Sequence, residues 1–156
     1  MTYVVRTAAA AVAAGAGAVV AVRAVRSRFA LVRVTGSSMA PTYRDGERLL
    51  VRRRAPIRSG DAVVFRNPVP GADTDVRWLV KRVTAMPGAP VPDDVRPAVD
   101  TTHVPRDCLV VRGDGARTQD SRHFGYVPVA SVLGVVVARG RPREPVAGRA
   151  IGPAPL

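Results

Sequence analysis

Apolar positions along the chain fall into three regimes. From Thr7 to Val22 there are 16 uncharged residues, all Ala, Val or Gly apart from one Thr, bounded by Arg6 and Arg23. As a helix at ~1.5 Å per residue this run covers roughly 24 Å, against a hydrocarbon core of ~30 Å. It reads as a short N-terminal apolar helix that anchors the chain to membrane lipid. A cleaved signal peptide and a soluble Ala-rich helix are the competing readings. From residue 29 onward the apolar runs become short and rich in Val, separated by Gly, Pro and Asp. They are Phe29 to Val34, Arg48 to Val51, Ala62 to Phe65, Trp78 to Val83, Leu109 to Val111 and Val132 to Val137. Runs of that length flanked by turn residues predict β-strands, and no amphipathic helical period is visible beyond Val25. The segment from Pro87 to Pro105 holds five prolines and reads as irregular connection. The Gly/Pro/Arg-rich tail over 140–156 reads as disordered. The expected organisation is a membrane anchor with a basic flank over 1–28, a mainly β domain over 29–139 built as a compact antiparallel sheet or barrel, and the tail.

Composition narrows the possibilities. The chain carries 24 basic and 12 acidic residues, a net charge of +12. Of the basic residues 23 are Arg and one, Lys81, is Lys. An Arg excess beside abundant Ala, Gly, Pro and Val reads first as compositional bias and next as attraction to an anionic membrane surface. Nucleic acid is disfavoured as a partner: aromatics are few, and only Arg52, Arg53 and Arg54 form a tight basic run. A single cysteine, Cys108, excludes an internal disulfide and a cysteine-based zinc site. With only His103 and His123 beside it, no metal site and no cofactor is expected.

Three stretches carry candidate chemistry. In Val34-Thr35-Gly36-Ser37-Ser38-Met39-Ala40-Pro41-Thr42 a strand enters a tight turn. Such a turn can expose a serine hydroxyl and aim its own N–H at the same space, as a nucleophile beside an oxyanion site requires. A plain Ser-rich loop is the alternative. In Val80-Lys81-Arg82-Val83 the lone lysine lies on a predicted strand. A serine needs a base, and a lysine can serve if burial holds it neutral, whereas arginine cannot. In Gly113-Asp114-Gly115-Ala116-Arg117-Thr118-Gln119-Asp120-Ser121-Arg122-His123-Phe124-Gly125, an Asp and an Arg two apart can pair and lock the loop. Thr118 or Ser121 is placed to hydrogen-bond a neutral lysine there. His103 and His123 sit in no motif that pairs with Ser38 and read as surface or structural. Cys108 reads as a small buried apolar residue.

In order and spacing these blocks resemble the type I signal peptidase family, membrane-bound serine proteases with a Ser–Lys dyad. Gly36-Ser37-Ser38-Met39-Ala40-Pro41-Thr42 matches its first box, Gly60-Asp61-Ala62-Val63-Val64-Phe65 a following strand, and Lys81-Arg82-Val83-Thr84-Ala85-Met86-Pro87-Gly88 its lysine box. Gly113-Asp114-Gly115 leading to Thr118-Gln119-Asp120-Ser121-Arg122-His123-Phe124-Gly125 matches the last box. The resemblance implies Ser38 as nucleophile, its N–H as an oxyanion donor, and Lys81 as general base. It implies Gly36, Ser37, Met39, Thr118, Asp120, Ser121 and Arg122 as support for the oxyanion site and dyad, with Met39 packing on the dyad and Asp120–Arg122 as an ion pair. Strand edges near Val32, Val34, Trp78, Leu79 and Val80 are implied to hold the substrate by β-augmentation. The implied reaction is cleavage of signal peptides from preproteins after small residues, Ala-x-Ala. Gly115 replaces the family's usual Asn, that loop is about one residue shorter, and a large extra β-domain found in some members is missing.

The family places its catalytic domain on the extracytoplasmic face of the cell membrane. Arg23, Arg26, Arg28 and Arg33 follow the apolar run and Arg6 precedes it, so the positive-inside rule alone favours the opposite orientation. Two other functions fit the same residues. One is a maturation protease dedicated to one precursor. The other is an inactive basic module binding a membrane surface.

Overall fold

The structure is a computed structural model, and it describes residues 21–69 and 77–140. Residues 21–28 are helical and lead directly into the first strand. Seven strands follow: β1 (Phe29–Arg33), β2 (Arg48–Arg53), β3 (Ala62–Arg66), β4 (Trp78–Ala85), β5 (Cys108–Arg112), β6 (Val127–Pro128) and β7 (Val132–Gly140). They form one antiparallel sheet in the order β1-β2-β7-β3-β4-β5-β6. The sheet is open: β1 and β6 are its two edges and do not pair. The mainly β, antiparallel expectation therefore holds in its sheet form and not as a closed barrel. The anchor expected over 1–28 falls mostly outside the described residues, as do the tail's residues 141–156. Among the described residues no helix is long and apolar enough to cross a membrane.

The strands form where β-branched residues alternate across a pleated surface. β4 shows this clearly: Lys81, Val83 and Ala85 are buried, while the residues between them are half-buried. Val63 and Phe65 from β3, Val83 from β4, Leu109 and Val111 from β5, Val127 and Val135 close one core. The Phe65 and Phe124 rings pack in a tilted arrangement with centroids 6.3 Å apart. The proline-rich connection between β4 and β5 has little regular structure, as expected, but it is not peripheral. Val91, Val95 and Val104 from it are buried with Ala85 and Val110 in a second core.

Two details of register position the site. Pairing of β4 with β5 begins only at Arg82, which pairs with Arg112, so Trp78 to Lys81 pair with β3 alone. β4 is interior in the sheet order, yet its first half keeps one edge open. β1 pairs only with β2 and leaves its other edge open as well.

Candidate active site

Lys81 is the largest polar side chain in the interior, with 1% of its surface exposed. Its Nζ donates to Thr118 Oγ1 at 2.6 Å. The Thr118 hydroxyl in turn donates to the carbonyl of Gln119 at 3.4 Å. That arrangement occupies one N–H of the amine and leaves a lone pair of neutral Lys81 free of it. Burial is the main influence on the amine and lowers its pKa from 10.5 to about 8; the Asp120 charge opposes this and the Arg122 charge adds to it. Thr118, of the two hydroxyls the sequence offered, is the one that meets the lysine. Ser121 is also fully buried, but its Oγ accepts from the Val111 N–H at 2.9 Å and so ties the loop to β5.

The loop between β5 and the single-turn helix Ser121–Phe124 is locked at both ends by bidentate ion pairs. At the far end, Arg122 Nε and Nη2 donate to the two oxygens of Asp120 at 2.9 and 2.8 Å. Asp120 is fully buried and also accepts from the N–H groups of Gly113 and Arg122. Burial pushes its carboxyl upward, but the bonds from Arg122 and the two N–H groups override that and hold it below the usual 3.8. Asp120 is also the N-cap of the helix, with His123 Nδ1 completing a capping box, so His123 is structural. At the near end, Arg82 Nε and Nη2 donate to Asp114 at 2.9 and 2.5 Å, while Arg82 Nη1 donates to the Gly60 carbonyl at 2.8 Å. The Arg82 bonds, assisted by a hydrogen bond from the Thr42 side chain, hold the Asp114 carboxyl low. This second pair was not foreseen from the sequence. The available signal was Arg82's place beside the only lysine, on a strand where neighbouring side chains alternate faces.

Ser38 meets the same loop through the backbone. Its carbonyl accepts from the Gly115 N–H at 3.0 Å. The approach is close enough that both glycines are required sterically. A Cβ on Gly115 would lie 2.5 Å from the Ser37 carbonyl oxygen, and one on Gly113 would overlap both Thr118 Oγ1 and the Ser38 carbonyl oxygen. Thr118, the hydrogen-bond partner of Lys81, and the Ser38 backbone therefore flank one glycine. No direct hydrogen bond joins Ser38 Oγ to Lys81 Nζ in this structure. Among the described residues the Ser38 N–H and Oγ are both without a hydrogen-bond partner.

The remaining turn residues divide by role. Met39 is buried to 1% exposure directly after Ser38. Ser37 is exposed, and its carbonyl accepts from Ala40 N–H at 3.0 Å to close the turn. The Gly36 N–H donates to Asp45 Oδ1 at 2.8 Å, which commits that donor elsewhere. A cleft of about 420 Å³ opens at Ser38, lined by Val32, Val34, Met39, Trp78, Leu79 and Val80 among others. All five residues expected at the substrate edges thus border one cleft with Ser38, between the open edge of β1 and the open half of β4. Cys108 is half-buried, and burial beside Asp107 pushes its thiol upward, away from the reactive thiolate.

The signal peptidase family model, peptidase S26, matches residues 4–96, a span that includes Ser38 and Lys81. Signal peptidase I V of Bacillus subtilis (strain 168) is 27% identical over 156 aligned residues, covering 76% of this chain and 89% of that protein. With a peptidase family matched over more than half its length, and β-strand edges opening onto Ser38, the chain belongs to the signal peptidase family, peptidase S26.

Proposed function

We propose that the protein is a serine endopeptidase that removes signal peptides from preproteins after small residues, using Ser38 and Lys81 as a dyad. The observation that carries this reading is a lysine buried to 1% exposure, with its pKa lowered to about 8, hydrogen-bonded on the loop that packs against Ser38. An extended substrate adds a strand between β1 and the first half of β4, satisfying both open edges, and its small side chains enter the cleft. Ser38 Oγ attacks the scissile carbonyl carbon and its proton passes to Lys81 Nζ. The developing oxyanion is stabilised by the unpartnered Ser38 N–H. Lys81 then returns that proton to the leaving amine. The acyl–Ser38 ester remains until a water, deprotonated by Lys81, attacks it and frees the new carboxylate. Thr118 orients the amine, and Asp120–Arg122 locks the end of the loop that carries Thr118. Ser38 Oγ and Lys81 Nζ are not hydrogen-bonded to each other in the structure, so the mechanism requires that substrate binding bring them within reach. Residues 1–28 anchor the enzyme, with the domain over 29–139 outside the cytoplasm.

The test is cleavage of an Ala-x-Ala presequence by Ser38→Ala and Lys81→Arg. Each should lose activity by about a thousandfold or more, because arginine stays charged throughout the accessible pH range. Near-full activity in either variant overturns the dyad.

A further inference from the structure

We propose that an open pocket at the N-terminal end of the sheet, separate from the Ser38 cleft, binds the phosphate headgroup of an anionic phospholipid and seats the domain on the membrane surface. The pocket has a volume of about 700 Å³. Arg26, Arg53, Arg54 and Arg66 line it together with Trp78 and apolar residues from the end of β6 to the start of β7, and among the described residues no acidic side chain borders it. Every one of these arginines is exposed, and none makes a side-chain hydrogen bond or ion pair among the described residues. Four unpaired guanidinium groups around one cavity repel one another unless an anion enters, and a guanidinium fork matches a phosphate in geometry and charge. The backbone is arranged to bring them there. Arg53 and Arg54 are consecutive and in a regular strand would face opposite sides, but Arg54 takes a left-handed φ of 53° and both line the cavity.

The surroundings select a lipid as the source of that phosphate. β1, β4 and β7 begin at this end of the sheet, and β2 and β3 finish there. Exposed Val22, Val25, Val69 and Val129 lie in segments that enter or leave the same end, and Pro128, Ala130, Val132 and Leu133 line the pocket itself. That combination suits an interface where headgroups sit above acyl chains. The uncharged run from Thr7 to Val22 ends in the helical residues 21–28, which deliver the chain to this end and contribute Arg26. Trp78 lines both this pocket and the Ser38 cleft. A headgroup bound here would set the open end of the substrate cleft against the bilayer.

Trp78 is the only tryptophan in the chain and reports on the site directly. The full chain, held in neutral maltoside micelles, is titrated with phosphatidylglycerol or phosphatidylcholine while Trp78 emission is followed. Phosphatidylglycerol should give a saturable blue shift and phosphatidylcholine none. The triple variant Arg53→Gln/Arg54→Gln/Arg66→Gln should need roughly a hundredfold more phosphatidylglycerol, at about fivefold per arginine, and Arg66→Gln alone about fivefold more. Arg44→Gln/Arg48→Gln/Arg106→Gln removes the same net charge away from the pocket and should titrate like the parent. Equal weakening in both triple variants shows diffuse attraction and overturns the proposal. So does the same saturable shift with inorganic phosphate alone, or with phosphatidylcholine. The readout is binding, so it succeeds or fails independently of the Ser38–Lys81 chemistry.

Discussion

Replacing Lys81 with methionine tests the physical basis of the site apart from its chemistry. A pKa lowered from 10.5 to about 8 means the folded protein disfavours the charged amine by about 3 kcal/mol at pH 7, where both folded and unfolded chains carry the proton. Methionine keeps the apolar stem within the buried space and removes the charge. It also removes the Nζ–Thr118 bond, worth about 1 kcal/mol net, although half-buried Thr118 keeps access to water and to the Gln119 carbonyl. The net expectation is that Lys81→Met stabilises the fold by about 2 kcal/mol at pH 7 while abolishing peptidase activity. The sign of its pH dependence is fixed. Below about 8 the penalty is fully present in the parent. Between about 8 and 10.5 the folded amine is neutral while the unfolded one still binds a proton, so parent stability rises with pH. Above that range neither is charged and the advantage of the variant disappears. Urea unfolding of both proteins at pH 7 and pH 10 measures the difference, and the other titrating groups cancel in the subtraction. If Lys81→Met is no more stable at pH 7, or if the difference is the same at both pH values, burial is not what sets the state of this lysine.

Three further outcomes follow from the same geometry. With Lys81 acting as a free base, kcat/KM for presequence cleavage should climb about tenfold per unit as pH rises towards about 8, then level off; a flat profile from pH 6 to 9 contradicts it. Gly115→Asn restores the residue common in the family, yet should cut kcat by about tenfold or more. Its Cβ would lie 2.5 Å from the Ser37 carbonyl oxygen and must shift the turn that carries the proposed nucleophile Ser38, where an ångström of misplacement is costly. Asp120→Asn should destabilise the fold by about 2 kcal/mol in neutral buffer, a value kept modest because the Arg122 end of the pair is partly solvated. Because the Asp120 carboxyl is held below 3.8, that contribution is present above 3.8 and fades as pH falls through the lower folded value, so thermal melts of the two proteins should converge in acid.

The strands were legible because their apolar runs are short, rich in Val and flanked by turn residues, even where, as in β3 and β5, burial does not alternate. Six apolar runs correspond to β1 to β5 and β7, most of which reach one to three residues past the apolar pattern. β4 continues through Thr84 and Ala85, and β7 through Ala138 to Gly140, because ladder hydrogen bonds are made by the backbone whatever the side chain is. β6 and the Ser121–Phe124 helix are too short to show any period; only Asp120, a good N-cap, marks the helix start. The sequence singles out Lys81 because the chain uses lysine once, and the structure buries it; its pairing with Ser38 belongs to the proposed mechanism. The Arg82–Asp114 pair was not legible, since its partners are 32 residues apart and meet only through the register of β4 on β5. The four-arginine pocket was not legible for the same reason. Its members are scattered through an Arg-rich sequence, and only the common end of the sheet gathers them.

The two ion pairs hold both ends of the loop on which Thr118 meets Lys81. Arg82 follows Lys81 on β4, so the residue that fixes Asp114 is covalently adjacent to the candidate base. Arg122 follows Asp120 by two and fixes the other end, while Asp120 reaches back to the Gly113 N–H beside Asp114. The loop from Gly113 to Asp120 is thereby closed on itself by a carboxylate and tied to β4 by a guanidinium. Between these ties lie two contacts with the candidate site: Gly115 on the Ser38 carbonyl and Thr118 on Lys81. Arginine suits both ties because it cannot lose its proton at any pH where the lysine titrates. Lys81 can therefore change charge near pH 8 while the bracket around it does not. The same division fits the composition: 23 of the 24 basic residues are Arg, and the one Lys stands where the proposed mechanism needs a charge that comes and goes.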